Sequence, residues 1–592
     1  MKSKNAVLLF ISILILLFLT YCAKEELKPT LAVTPSGEKW VNHTLNKMTV
    51  EEKIGQMVCS RFSGQFYHFQ NPNLQDLESL VEEQKIGGLI MFGGEIYEAA
   101  RLINSLQEKA DVPLLIASDL ERGLGNQIGE ATLFPPLMSI GATRSEELAY
   151  QMGKITAVEA RAVGIHLTYA PVVDVNINPQ NPIISTRSLG EDPEQVARLA
   201  AAFIRGCQEN GLMATAKHFP GHGDTDVDSH SELPVVEGDM ERLNSVEILP
   251  FERAVQAGVQ AVMTAHIHVP VLDPTPNLPA TLSPVIIGRL LRDKLGFDGL
   301  IVTDAMGMGG VTSLYSPEEA ALKAVKAGVD CLLLPPETEK VIETLAARVK
   351  KGEISETTIN SSVRRILTAK AKLGLYKKKL VDIEALDRVI ASQKHIQKAE
   401  KAFRASVTLV QNKGDILPLS CEDKKISVFS LSSDKGDFYA GRTFIEEVKK
   451  RCDSVHEFYA DAMTGEKFIE EAVEKSSDSD LRVISLFSSL RARKGSVGLD
   501  ERHVELINEL AEDEIPLLVI SFGSPYFLKS FPEVEGYVCA YRRASIAQRA
   551  AVEAVFGEIG FQGRLPVSIP GLYERGHGIV LKAKESSQKT NL

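Results

Sequence analysis

The chain of 592 residues has no closely spaced cysteine pairs. Its seven cysteines run from Cys22 to Cys539 without a C-x-x-C, which argues against a disulfide framework or a zinc ribbon. It has no excess of basic residues either. With a formal net charge of −12, nucleic acid is not an expected partner, because phosphate binding requires clustered Lys and Arg. Coiled-coil heptads and low-complexity tracts are missing as well. The N-terminal apolar run, Ala6 to Leu19, is too short to span a membrane comfortably. With Lys2 and Lys4 before it and Cys22 after it, "MKSKNAVLLFISILILLFLTYCAK" has the layout of a bacterial export signal. Cys22 resembles a lipoprotein attachment cysteine, although Tyr21 stands where a small residue is usual; an uncleaved anchor is the alternative. The expectation is an exported protein of the cell envelope, held at the membrane by an N-terminal lipid or anchor. What is present is the composition of a soluble globular protein, 44% hydrophobic and 24% charged, long enough for two or three domains.

Between residues 45 and 375 short apolar runs alternate with stretches of helical periodicity. The runs are "IGQMVC" (54–59), "GGLIMF" (87–92), "PLLIASD" (113–119), "LTYAPVVDV" (167–175), "MATAKHF" (213–219), "AVMTAHI" (261–267), "GLIVTDA" (299–305) and "DCLLLP" (330–335). Segments such as "EELAYQMGKITAVEARAVG" lie between them, with apolar residues at helical spacing. Near-continuous apolar runs separated by helices are the pattern of parallel strands covered on both faces, and eight such units predict a (β/α)8, TIM-like barrel. After residue 375 a charged helical connector leads to "SVTLVQN", "KISVFSLSS", "LRVISLFSS", "PLLVISFGS", "GYVCAYRR" and "RLPVSIPG". These predict a layered α/β domain, an α/β/α sandwich with a largely parallel sheet. The expected organisation is therefore a signal over 1–22, a tether over 23–40, the barrel over 41–375, a helical linker over 376–400, the sandwich over 401–580 and a tail over 581–592.

The active site of such a barrel lies at the C-terminal ends of its strands. Strand three ends in Asp119, strand four in Asp174, strand five in Lys217 and His218, strand six in His266 and strand seven in Asp304. One Asp at a strand end often caps the next helix, but five consecutive strands ending in ionisable groups point to a site. The loop after strand five, "KHFPGHGDTDVDSH", has Asp224, Asp226 and Asp228 at the spacing of a calcium loop. Such a loop needs Gly at its sixth position and a carboxylate at its twelfth, and here Ser229 and Val235 stand there. His218 and His222 are four apart, but Pro220 and Gly221 between them disfavour a shared helix face. No metal and no cofactor is expected. Asp228 and His230, two apart in an extended segment, would point the same way, so that the carboxylate could hold the imidazole Nδ1–H and tune Nε2 for acid–base work. A solvated loop with a surface histidine is the alternative. Asp304, at the lip of "GLIVTDAMGMGG", suits a nucleophile that attacks an anomeric carbon.

These residues carry a resemblance. "KHFPGHGDTDVDSH", "NPIISTRSLGEDP", "IVTDAMGMGG" and "LPVSIPGLYERGHGI" resemble the motifs of glycoside hydrolase family 3, in particular its two-domain β-N-acetylglucosaminidase branch, over nearly the whole chain after the tether. The resemblance implies Asp304 as nucleophile, His230 as acid/base paired with Asp228, and Asp119, Arg187, Lys217 and His218 as sugar contacts. Asp174 and His266 are further candidates for the substrate pocket. Members often carry "DQEGGRV" after strand three; here the segment is "SDLERGLGNQIG", with Leu124 at the arginine position and an arginine at Arg122. Either Arg122 takes over that contact or the pocket differs.

The expected function is a monomeric, retaining exo-acting hydrolase that releases N-acetylglucosamine from cell-wall or chitin-type oligosaccharides. Alternatives of the same chemistry are a β-N-acetylglucosaminide phosphorylase and a broad-specificity β-glucosidase. The alternative of another class is a carbohydrate-binding lipoprotein without activity.

Overall fold

The computed structural model describes residues 31–488 and 498–584. The expected export signal, Cys22, the start of the tether and residues 585–592 lie outside the described residues. The tether ends earlier than expected: Pro35–Lys47 is a helix whose first turn is capped by Thr34, which accepts from the Gly37 N–H at 3.2 Å, and whose inner face buries Val41 and Leu45. At the other end, residues 581–584 belong to the second domain rather than to a tail, since the Phe561 N–H donates to Leu581 and the Lys584 N–H to Gly557.

All eight expected strands of the barrel form. They are β1 (Val58–Gly64), β2 (Gly88–Gly94), β3 (Leu115–Ser118), β4 (Leu167–Thr168), β5 (Thr215–Phe219), β6 (Ala261–Thr264), β7 (Leu300–Thr303) and β8 (Leu332–Leu333). Parallel ladders run β4-β3-β2-β1-β8 and β5-β6-β7. Bridges Leu167↔Met213 and Val172↔Lys217 join β4 to β5, and Val302↔Cys331 joins β7 to β8, so the sheet closes. The central strands are buried along their length, which is why their sequences read as continuous apolar runs. Two boundaries shift. The first expected run begins in a helix, Val50–Gln56, started by a capping box of Thr49 and Glu52, and β1 follows it. Strand four is short, Leu167–Thr168, and Pro171 beyond it has no N–H to offer a ladder.

The second domain is a six-stranded sheet of β9 (Thr408–Asn412), β10 (Ile426–Ser432), β11 (Val455–Asp461), β12 (Leu481–Phe487), β13 (Leu517–Ser521) and β14 (Gly536–Cys539). The spatial order is β11-β10-β12-β13-β14-β9, parallel except for β9, with helices on the faces, so the layered α/β architecture holds. Strand β11 went unrecognised because only its last two residues are buried, and its sequence carries no apolar run. "RLPVSIPG" is not a strand. It is a seam between domains: the Arg564 N–H donates to Ala142, the Glu191 N–H to Pro566, and Ser568 gives its N–H and hydroxyl to the Glu191 carboxylate at 2.8 and 2.6 Å. One disulfide, Cys421–Cys452, ties the second domain, which the scattered cysteine spacing did not indicate. No helix among the described residues is long and apolar enough to cross a membrane.

Candidate active site

A cavity of about 550 Å³ opens at the C-terminal ends of the barrel strands, and the second domain forms part of its wall. Its charged floor is a four-residue network. Lys217, on β5, donates to Asp119 Oδ1 and lies equally close, 2.8 Å, to Glu121 Oε1. Arg187, from the loop after β4, grips the same Glu121 through Nε at 3.0 Å and Nη2 at 2.8 Å. Burial alone would raise the pKa of Glu121, but Arg187 and Lys217 hold its carboxyl well below the usual range. Burial likewise works against the Lys217 charge, and Asp119 and Glu121 more than offset it, so its pKa is raised. The loop carrying Asp119 is fixed by its own backbone, whose carbonyl accepts from Asn126 and Gln127 at 2.8 and 3.0 Å. Two cations and two carboxylates thus sit fully paired yet open to the cavity. Sugar hydroxyls are well matched by such a surface of donors and acceptors.

Asp174, a candidate pocket residue on the sequence, does not line the cavity. It is a buried clamp for the loop after β5: it accepts from the His218 backbone N–H, from His218 Nδ1 at 2.6 Å and from the His222 backbone N–H at 2.7 Å. The imidazole of His218 is thereby aimed with Nε2 toward the cavity, 3.5 Å from Arg187 Nη2. His222 is held by Thr225 and Ser229 at 2.8 and 2.9 Å, and burial, reinforced by His218, lowers its pKa to about 4, which keeps it neutral. His266, the other further candidate for the pocket, is also withdrawn from the cavity: its Nε2 donates to the Ala305 carbonyl at 3.1 Å and its Nδ1 meets Thr281 at 2.9 Å. It supports the residue next to Asp304 instead. Both positions fall at the ends of apolar runs in the sequence, and that alone does not distinguish a side chain that lines the cavity from one that turns back into the wall.

The far arm of the loop brings Asp228 and His230 together. Asp228 Oδ1 takes the His230 backbone N–H at 2.9 Å and meets its Nδ1 at 2.7 Å. The local form is a turn rather than the extended segment expected, and the short Asp–x–His turn makes both contacts at once. The carboxylate side chain is 4% exposed and the imidazole 28%, so the acid is buried behind a histidine that faces the cavity. Asp304 follows β7 and lines the same cavity. Its burial favours the neutral acid, but His218, His266, the Ala305 N–H at 2.7 Å and Lys217 outweigh it and hold the carboxyl below the usual carboxylate range. The loops that carry His230 and Asp304 are stitched together: the N–H groups of Gly309 and Gly310 donate to the carbonyls of His230 and Ser229, both at 3.1 Å. The other aspartates of that loop are apart from this group, Asp224 being paired with Arg242. Among the described residues no three His, Cys, Asp or Glu side chains are placed to hold a metal ion.

Of the residues singled out on the sequence, Asp119, Arg122, Arg187, Lys217, His218, His230 and Asp304 line one cavity, and Asp228 backs His230. Sequence reasoning missed Glu121, although a glutamate two places after the aspartate is common to "SDLERG" and the "DQEGG" of the family motif. It also missed the second domain's share of the wall, which includes Ser524, Phe527, Tyr541, Arg542 and Arg543. Two arginines directly after the run "GYVCAY" were the available signal. The arrangement offers an ionised carboxylate and a carboxylate-backed imidazole on adjoining loops, over a floor of paired charges. That set can attack an electrophilic carbon on one side and deliver or remove a proton on the other.

Comparison with known proteins places this geometry. The model of the glycosyl hydrolase family 3 N-terminal domain matches residues 49–369, and that of the family's C-terminal domain matches residues 407–589. A protein of Cellulomonas fimi named β-N-acetylglucosaminidase/β-glucosidase is 28% identical over 547 residues, covering 90% of this chain and 96% of that protein. The solved structure of a glycoside hydrolase family 3 β-N-acetylglucosaminidase from Paenibacillus sp. str. FPU-7 superimposes with a TM-score of 0.79 at 32% identity, covering 88% of this chain and 99% of that one. The β-glucoside phosphorylase BglX, bound to 2FGlc, gives a TM-score of 0.82 at 28% identity, covering 91% and 97%.

Proposed function

Because the chain belongs to glycosyl hydrolase family 3, we propose that it is a retaining exo-β-N-acetylglucosaminidase acting on N-acetylglucosamine-terminated oligosaccharides. The observation that carries this reading is the pairing across one cavity of Asp304 with the Asp228–His230 dyad. The names of the similar proteins from Cellulomonas fimi and Paenibacillus support the sugar. In the first step an Asp304 oxygen bonds C1 of the terminal sugar while the bond from C1 to the leaving oxygen breaks. Protonated His230 passes its Nε2 proton to that oxygen, and Asp228 on Nδ1 stabilises the imidazolium and fixes the ring. In the second step neutral Nε2 takes a proton from water as the water oxygen bonds C1 and Asp304 departs as a carboxylate. Lys217, Arg187, His218 and Asp119 hold the sugar, and the pairs Lys217–Asp119, Arg187–Glu121 and His218–Asp174 pre-set them so that little reorganisation accompanies binding.

A second reading keeps the same intermediate and transfers it to phosphate. It is favoured by the proton carrier being a histidine, since a neutral imidazole repels an incoming anion less than a carboxylate does. A panel of aryl β-glycosides at neutral pH tests the sugar: the N-acetylglucosaminide should be turned over far faster than the glucoside and xyloside, and a clear preference for the glucoside would overturn it. Product analysis with and without phosphate separates hydrolysis from transfer, because sugar 1-phosphate as the main product would replace the hydrolase reading.

We further propose export and attachment through Cys22, on the layout of residues 1–22. A radiolabelled fatty acid should label the wild-type chain in its host and not the Cys22→Ala variant; equal labelling would sink the attachment.

A further inference from the structure

Four arginines line the cavity, and they fall into two kinds. Arg187 is neutralised by the bidentate pair with Glu121, and Arg543 by Asp434 and Asp437. Arg122 and Arg542 have no such partner among the described residues. Among the described residues neither makes an ion pair with a carboxylate, and the Nε of each is buried without a hydrogen-bond partner. They come from different domains. Arg122 sits in the turn after β3, where its carbonyl accepts from the Phe134 N–H, and Arg542 follows β14 directly after Tyr541. Tyr541 has φ +59° and is buried, with its hydroxyl 2.9 Å from that of Thr408, so the chain turns sharply just before Arg542.

A guanidinium taken from water and left unpaired is costly, and two of them facing one space repel each other as well. Burial and the neighbouring charges of Arg122 and Arg543 lower the pKa of Arg542 to about 9, and burial lowers that of Arg122. Both features are relieved by the same thing, an anion between or beside the two forks, to which each can donate paired N–H groups. Among the described residues the rest of the cavity supplies no such anion, because Glu121, Asp119 and Asp304 are taken up by Arg187, Lys217 and the backbone.

We infer that Arg122 and Arg542 form an oxyanion-binding subsite within the cavity, which takes either a carboxylate carried by the saccharide substrate or free inorganic phosphate. The subsite rests on the proposed glycosidase reading for its location beside the scissile bond, but not for its chemistry. Where the anion is phosphate, one of its oxygens bonds C1 as the bond from C1 to Asp304 breaks, giving the sugar 1-phosphate and restoring the carboxylate.

Three measurements on the full chain and on Arg122→Gln and Arg542→Gln test this. The first is Tm with and without inorganic phosphate, at constant ionic strength set with chloride. The second is the product from an aryl N-acetylglucosaminide in phosphate. The third is the ratio of kcat/KM for two N-acetylglucosaminyl saccharides that differ only in bearing a carboxylate or its methyl ester, a ratio in which any general loss of activity cancels. A phosphate-dependent rise in Tm that the Gln variants lose, with sugar 1-phosphate formed by the wild type, supports free phosphate. A preference for the carboxylate of about tenfold or more that collapses toward unity in the variants supports a substrate-borne anion. A wild type with neither response overturns the subsite, whether or not the variants fold. So does a response that both variants retain. If no N-acetylglucosaminide is turned over at all, the glycosidase reading fails, and the Tm measurement still decides the subsite.

Discussion

The Gly309 N–H donates to the carbonyl of His230 at 3.1 Å, so the loop after β7 and the loop after β5 share a hydrogen bond at the point where they approach the cavity. The separation of the two proposed reacting groups is set by this seam rather than by either loop alone. A side chain at position 309 has no room: a Cβ there would lie 2.3 Å from the Ser231 carbonyl oxygen and 2.9 Å from that of His230. Gly309→Ala should therefore push the loops apart and lower kcat by about 100-fold, with a small change in Tm. Steady-state kinetics with a neutral aryl N-acetylglucosaminide checks it, and unchanged kcat would remove the seam's role.

Asp228 should matter through the tautomer and charge of His230. Asp228→Asn leaves the side-chain volume while replacing a charged acceptor at Nδ1 with an amide. The expected loss in kcat is about 10²–10⁴-fold, the range for a general acid–base and its orienting carboxylate. Activated aryl leaving groups, which need little protonation, should show a smaller loss in the first step than poor ones. Equal losses for all leaving groups would mean that Asp228 only shapes the loop.

The pH dependence has a defined sign. Asp304 acts as the carboxylate, and although burial favours its acid form, His218 and His266 hold its pKa below the ordinary value. Its ionised form therefore persists as pH falls, and the acid limb of kcat/KM due to this group lies below that of an ordinary aspartate. His218→Asn removes the largest of the opposing influences, so burial acts with less resistance and that limb moves upward. A profile in which it stays or moves down contradicts the assignment.

Glu121 is expected to carry stability as well as substrate geometry. Its folded pKa is depressed, so the stabilisation is fully present above its unfolded value of about 4.3 and is lost as pH falls through the lower folded value. Glu121→Gln leaves Lys217 and Arg187 short of a buried partner, at a cost of about 3 kcal/mol to the barrel. Thermal denaturation should show a large drop in Tm at pH 7 that narrows in acid. A drop independent of pH would point to packing instead.

Much of this was legible before any coordinates. The eight apolar runs were visible because parallel barrel strands are covered on both faces, and residues at their ends could be read as site candidates. Polar partnerships were not. Position at the end of an apolar run does not distinguish Asp304, whose side chain lines the cavity, from Asp174, which turns back to clamp His218 and His222; only the motif around Asp304 set it apart. Glu121 was passed over because its value depends on Arg187, 66 positions away. Edge strand β11 lacked a pattern because only its last two residues are buried, and "RLPVSIPG" had the pattern of a strand because a domain seam buries apolar residues too. The wall formed by Tyr541 and Arg542 depends on how two domains dock, which local spacing does not encode.

In the proposed mechanism Asp304 carries the sugar and His230 releases it. This is tested most directly in a His230→Ala variant given an N-acetylglucosaminide with a strongly activated leaving group, which needs no acid for the first step and lacks its base for the second. Mass spectrometry of the quenched protein should find one N-acetylhexosamine covalently attached, on the peptide that contains Asp304. Continued release of the leaving group from an unmodified chain, or an adduct on any other peptide, would contradict the account.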